Sequence, residues 1–470
     1  MQWVPLLLFA GCSQPPADDS SAAMPRAEIQ QLIDSIAAKA LDEGRLVGLS
    51  IAVARDGQAV IAGSWGWLDR DAGIAASPAT TFNYASVSKP FTALAILTLV
   101  DGGRIGLDDL LSDVLADYPV RDQGASITVR QLLNHTSGLS DYVAADTERW
   151  RATGAPLEPA FVLNWLAGHP LEFEPGTTWS YNNSAFYLAG LIVAHASGRS
   201  FPEYLREAVT GPLGLTTIGP CDDQPIGTRA RGYAVNGNGT AEESMMYTEA
   251  GVIGDGGLCG TATDLARMPA ALRDSRLLSD AMLTEFLGNT TLLDGTRIAY
   301  GLGTRQGDLE GIRVWGHTGG SSTYVAKLAR YEERGVSIAV LTNTLDADTD
   351  PVAIEGYVAQ AVLGLPAPDT SAPAITAEVA APYVGIYTTG ASEGLALRSR
   401  ITHEGGQLAR RATVDAEDRV TALLTRGDHA FGRRDWPRDR FLFHVTDGRA
   451  TAYSEFYNGM LGNYSWRVHP

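Results

Sequence analysis

The chain has 470 residues, 45% hydrophobic and 19% charged, and 36 Lys and Arg stand against 54 Asp and Glu for a formal net charge of −18. That length exceeds what one small core needs, and that hydrophobic content excludes a disordered chain. The acidic balance, with no cluster of Lys and Arg to reverse it, argues against nucleic acid as a partner, and no internal run of apolar residues is long enough for a membrane-spanning helix.

Residues 3–10 are apolar, Gly11 and Cys12 follow, and 13–24 are mostly small and polar. A short apolar run ending in small residues reads as an export signal over 1–12. Its ending, Phe9-Ala10-Gly11-Cys12, resembles a bacterial lipobox, which implies a lipidated Cys12, a tether over 13–24, and an exported, periplasmic, membrane-anchored protein. Apolar residues at helical spacing predict a helix over 27–41. Strands are predicted over 47–54 and 59–65, joined at Arg55-Asp56-Gly57. Periods of three and four then dominate, with helices over 91–101, 129–133, 159–166, 184–197 and 263–272. Strands return over 297–301, 312–315, 324–331 and 336–342, and a helix follows over 351–363. The sheet is therefore assembled from both ends of residues 25–365 around a helical insert, an α+β arrangement of an antiparallel sheet flanked by helices. Residues 366–382 are rich in Pro and Ala and read as a linker. Short alternating segments over 383–387, 395–401, 407–412, 420–424, 440–445, 450–456 and 464–468 predict a small all-β, barrel-like unit over 383–470, separable from the rest.

Cys221 and Cys259 either pair in an oxidising compartment or remain two buried thiols. Neither lies in a C-x-x-C pair, so no zinc or redox site and no cofactor is expected.

Three segments carry residue types suited to acyl chemistry. Ser86 and Lys89 are three apart, so a helix beginning at Ser86 puts both on one face, with its N-terminus favouring negative charge at the hydroxyl. An alcohol needs a nearby base to attack an acyl carbon, and a lysine serves when burial suppresses its charge. In a chain of this length Ser-x-x-Lys by itself carries little weight. In Tyr181-Asn182-Asn183, a phenol beside a lysine can shuttle a proton, and Asn183 can hold a substrate amide or the lysine. His317-Thr318-Gly319-Gly320 ends one strand-like run, where glycines permit close approach and a free N–H can complete an oxyanion hole. His317 can donate to a substrate carbonyl or carboxylate.

The order of these segments among helices and strands resembles the serine β-lactamase and penicillin-binding family, class C-like branch, over about residues 25–365. Ile127 to Leu139, Arg104 to Asp109 and Gly256 to Leu265 match its supporting segments. The resemblance implies a serine hydrolase in which Ser86 is acylated, Lys89 and Tyr181 move its proton, and Asn183, His317, Thr318, Gly319 and Gly320 bind substrate. It also implies that the N–H groups of Ser86 and Gly320 form the oxyanion hole. Asn134 and His135 read as structural, capping and packing a helix beside the site.

Efficient class C β-lactamases carry Lys where this chain has His317, and a neutral imidazole recognises carboxylates less well. The expected substrate is thus a small ester or amide, with D,D-carboxypeptidase and β-lactamase activities as alternatives. An alternative of another class is a non-catalytic penicillin- or muropeptide-binding sensor. The Gly390-x-Ser392-x-Gly394 match precedes a strand-like run and lacks the strand–turn–helix of a nucleophile elbow, so it reads as a turn.

Overall fold

The computed structural model describes residues 25–42, 46–116, 118–119, 124–225, 227–236, 239–244, 252–345, 351–366, 374–389, 398–414, 417–427, 429–433, 439–457 and 460–467. The expected signal over 1–12, the tether with Cys12, residues 367–373 of the proline-rich linker and the Gly390–Gly394 turn lie outside the described residues.

The chain begins with α1 (Arg26–Asp42), β1 (Gly48–Arg55) and β2 (Gln58–Asp69). The insert contributes, among other helices, α2 (Lys89–Asp101), α3 (Val129–Leu133), α4 (Asn183–Ser197) and α5 (Ala262–Ser275). Then come β3 (Arg305–Leu309), β4 (Ile312–Gly320), β5 (Val325–Tyr331), β6 (Val336–Thr342) and α6 (Pro351–Leu363). The C-terminal strands are β7 (Gly385–Thr388), β8 (Arg398–Glu404), β9 (Gln407–Val414), β10 (Glu417–Gly427), β11 (Ala430–Arg433), β12 (Arg440–Thr446), β13 (Arg449–Tyr457) and β14 (Met460–Arg467).

Residues 25–365 are built on the antiparallel order β3-β4-β5-β6-β1-β2, drawn from both ends of that stretch as expected. Alternation along β1 sorts its side chains between two cores. Ile51 and Val53 pack with Ile33 of α1 and Val358 of α6. Ala52 and Ala54 turn to the other face, toward α5 and the helical insert. The small side chains on that face leave room for helices at close range. The helix starts have local causes. Thr128 and Gln131 form a reciprocal capping box ahead of α3, and Asn182 caps α4 by accepting from the Ala185 N–H at 2.8 Å. Asn182 also donates to the Leu139 carbonyl at 2.6 Å. Cys221 and Cys259 are disulfide-bonded, with Cα atoms 4.7 Å apart, which resolves the choice that their spacing left open.

Two sequence expectations shift. The strand expected over 297–301 is only Arg297–Ile298, and the sheet strand lies further on, at Arg305–Leu309. Its Arg-Gln-Gly-Asp-Leu composition carries no apolar alternation, because it is an inner strand held by neighbours rather than by its own hydrophobic face. The strand expected to stop at Trp315 runs on to Gly320, which pairs with Val325.

The C-terminal strands pair in succession, and β7 pairs again with β14, so the eight-stranded run returns on itself. Its own core holds Tyr387, Ile401, Leu408, Phe443 and Tyr453. The unit is not set apart as expected. β14 pairs with β3 through Met460 opposite Gly307, and Trp179, Ile298 and Tyr300 share one cluster with Phe456, Leu461 and Tyr464. Removing residues 385–470 would uncover that cluster. The truncated chain should lose its soluble yield, and in the full chain Phe456→Ala should lower the unfolding free energy by about 3 kcal/mol. Soluble expression and urea denaturation check these; a soluble, stable truncation would show that the shared cluster is dispensable.

Candidate active site

Tyr84 to Ser88 lead into α2. Ala85 has φ 45°, and its N–H is held by Asn83 Oδ1 at 2.6 Å. A non-glycine residue there stores strain on the order of 1–3 kcal/mol, which persists only where surroundings impose it. Ser86 lies in a 3-10 turn, Ala85–Ser88, and α2 begins at Lys89, so Pro90 falls in the first turn where no N–H is required. This places Ser86 and Lys89 together: Lys89 Nζ is 3.1 Å from Ser86 Oγ.

Lys89 is fully buried. Its Nζ also donates to Asn183 Oδ1 at 2.8 Å and to the Asp255 carbonyl at 2.7 Å. Asn183 begins α4, and its amide is committed at both ends. Its Oδ1 receives Lys89, and its Nδ2 donates to Asp141 Oδ2 at 3.0 Å, as does its backbone N–H at 2.6 Å. Asn183 thus orients the lysine, while still forming part of the cavity wall.

Tyr181 completes the group. Its ring centroid is 4.8 Å from Lys89 Nζ. Its hydroxyl is buried, and no described residue hydrogen-bonds to it. Leaving a buried hydroxyl unpaired costs about 1–3 kcal/mol, which a reacting atom would relieve. Ser86, Tyr181, Asn183, Thr318 and Gly320 all line one cavity of about 490 Å³, together with Tyr142, Trp150, Val252, Asp255 and Arg305.

Gly319 sets the distance between β4 and the serine turn. A Cβ there would stand 2.1 Å from the Tyr84 carbonyl oxygen and 3.0 Å from the Ser86 nitrogen. Only glycine lets the strand lie against the Ser86 turn, and this brings Gly320 to the cavity wall.

His317 is brought to the site's rear rather than its wall. It is fully buried, and its Nε2 is 3.0 Å from the Tyr300 hydroxyl. Strand alternation turns it inward between Tyr181 and Tyr300, so it does not stand where a substrate carboxylate would lie. His135, which reads as structural in sequence, packs its ring 4.4 Å from that of Tyr181. Its Nδ1 accepts from the Asn182 N–H at 3.1 Å, so its proton sits on Nε2, 3.0 Å from the Tyr300 hydroxyl. Tyr300 then donates to His317 Nε2, and His317 Nδ1–H donates to the Thr318 carbonyl at 2.6 Å. The chain of donors runs one way and requires both imidazoles neutral.

The electrostatics agree. Burial, then the nearby cations Arg305 and Lys89, hold His317 well below the usual histidine range, and burial followed by Lys89 does the same for His135. Burial pushes Asp255 up to about 6, opposed by Lys89 and by the Tyr142 hydroxyl on its Oδ2 at 2.8 Å. Burial likewise raises Asp141. Sequence reasoning missed Asp141, Tyr142, Asp255, Tyr300 and Arg305. The first four are polar residues in otherwise ordinary surroundings, and Arg305 sits on the strand whose pattern is silent.

A family description, Beta-lactamase, matches residues 33–363. A penicillin-binding protein of Bacillus subtilis is 29% identical over 287 residues, 57% of this chain and 62% of that protein. A D-aminopeptidase of Brucella anthropi is 30% identical over 281 residues, 58% of this chain and 51% of that protein. The chain thus spans about half to three fifths of the length of these curated relatives. The octameric penicillin-binding protein homologue from Pyrococcus abyssi superposes with a TM-score of 0.63 at 23% identity, over 94% of this chain and 99% of that one, a likeness of fold that includes the C-terminal strands.

A histidine neutral when folded but free to protonate when unfolded makes stability pH-dependent. The contribution is complete above the unfolded value, about 6.5, and declines as pH falls below it. The drop in Tm between pH 7 and pH 5 should therefore be smaller in His317→Asn than in the parent. An equal drop would show that the folded imidazole protonates freely.

Proposed function

The chain belongs to the beta-lactamase family, and from that premise we propose that it is a serine hydrolase of small esters or amides that works through an acyl-enzyme on Ser86. The observation that carries this reading is Lys89 Nζ at 3.1 Å from Ser86 Oγ, beside a buried Tyr181 hydroxyl with no described partner.

Ser86 Oγ attacks the acyl carbon, and its proton passes to the Lys89–Tyr181 pair. The two groups act as one coupled acid–base unit. The N–H groups of Ser86 and Gly320 receive the developing oxyanion. As the bond to the leaving oxygen or nitrogen breaks, the pair returns the proton to it. Water then attacks the acyl carbon and gives a proton to the same pair, and the pair returns that proton to Ser86 Oγ as the acyl–Oγ bond breaks, releasing the acid.

A neutral His317 facing away from the cavity supports a substrate other than a carboxylate-bearing β-lactam. The similarity to a D-aminopeptidase supports an amide or ester of a small, amino-acid-like acyl group. Export is proposed on two grounds: the lipobox-like start, and a Cys221–Cys259 bond that needs an oxidising compartment to persist.

Ser86→Ala should abolish turnover with an unchanged circular dichroism spectrum, and Lys89→Ala and Tyr181→Phe should each lower kcat/KM by about 100-fold or more. The substrates are neutral p-nitrophenyl esters, D-amino-acid amides, D-Ala-D-Ala peptides and nitrocefin. Turnover should be greatest with the esters or amides. Stable penicillin labelling with no product from any of the four would replace the hydrolase by a binding protein.

A further inference from the structure

Arg305 links the C-terminal β unit to the cavity. Arg305 opens β3, the strand that joins the two regions: it lies opposite Gly316 of β4, while Gly307 two residues on lies opposite Met460 of β14. Arg305 is only 7% exposed, yet it forms part of the cavity wall. Its Nη1 donates to the carbonyls of Leu461, at 3.0 Å, and Gly462. Its guanidinium carbon stands 5.3 Å from the centroid of the Tyr181 ring. Lys89 faces the same ring.

A buried guanidinium is costly unless paired. Among the described residues Arg305 has no acidic partner, and its Nε has no hydrogen bond at all. What holds it are two carbonyls of the last strand and one aromatic face. A structural link between β3 and β14 could be made more cheaply by apolar side chains, as the neighbouring Phe456–Leu461 cluster already does. The placement makes sense for a group whose task is the position of the tyrosine.

We propose that β14 is a positioning element of the active site: its Leu461 and Gly462 carbonyls set the Arg305 guanidinium, and Arg305 in turn sets the Tyr181 ring against Lys89. This rests on the assignment of Tyr181 to proton transfer made above. The C-terminal unit then belongs to the catalytic apparatus although it supplies no group that touches the acyl carbon.

The test uses the full chain and three variants. Arg305→Met removes the guanidinium at similar length. Arg305→Lys keeps a cation and a donor. Gly462→Ala perturbs the mount from the far side, because a Cβ there would lie 2.2 Å from Cε2 of Tyr457. Misplacement of a catalytic group by about an ångström costs on the order of 100-fold, so kcat should fall about that far in Arg305→Met with KM changed by only a few-fold. Arg305→Lys should recover about tenfold of the loss, by keeping the charge against the ring. Gly462→Ala should also lower kcat, and adding it to Arg305→Met should cost nothing more, as expected of two changes in one pathway. Parental kcat in Arg305→Met, or losses that follow Tm alone with no recovery by lysine, would overturn the proposal. Should Arg305→Met fail to fold, the kcat and KM of Gly462→Ala decide: an unchanged kcat overturns the proposal. Ser86→Ala is assayed alongside. If it is inactive, a failure at Arg305 sinks the positioning role only; if it retains turnover, the underlying assignment falls instead.

Discussion

The site depends on a buried amine that must find three oxygens. Lys89 lies fully inside the protein, and burying a group of this kind without partners would be prohibitive. Its Nζ meets Ser86 Oγ, Asn183 Oδ1 and the Asp255 carbonyl, from three places separated by 94 and 166 residues from Lys89 in the last two cases. Satisfying it therefore requires the starts of α2 and α4 and the loop before α5 to converge. The same convergence creates the cavity, since the groups that hold the amine also stand around the serine.

Around that centre the charges are arranged to keep some groups neutral and others fixed. His135, Tyr300 and His317 form a one-way run of hydrogen bonds in which neither imidazole carries a second proton. They make a firm, uncharged backing for Tyr181. The cations lie to either side of it, Lys89 and Arg305. Histidine at the start of the His-Thr-Gly segment is thus a packing and hydrogen-bonding choice. A lysine turned the same way would bring a third cation into a buried space already holding two, where like charges repel strongly.

Much of this was legible in the chain. Ser86 with Lys89, Tyr181 with Asn183, and the glycines after His317 are short local patterns, and each chemistry needs its residues within a turn or along one strand. The helix over 129–133 was legible from its apolar spacing, and the Thr128–Gln131 box at its start is the local cause that the structure adds. The β3 strand was not, because Arg305–Leu309 is held by cross-strand neighbours and shows no periodicity of its own. The cluster that residues 383–470 share with Trp179 and Tyr300 was not legible either, since alternation marks a strand but does not say against what its apolar side chains pack.

The sequence by itself determined the family, the antiparallel sheet drawn from two chain ends around a helical insert, and the short patterns that place Ser86 beside Lys89 and Tyr181 beside Asn183. These follow from spacing over a few residues. Only the tertiary structure decided that His317 faces inward, that Asn183 spends its amide on Lys89 and Asp141, and that Arg305 joins the last strand to the active site. Each of these is a contact between segments far apart in the chain, fixed by strand register and by the pairing that buried polar groups demand.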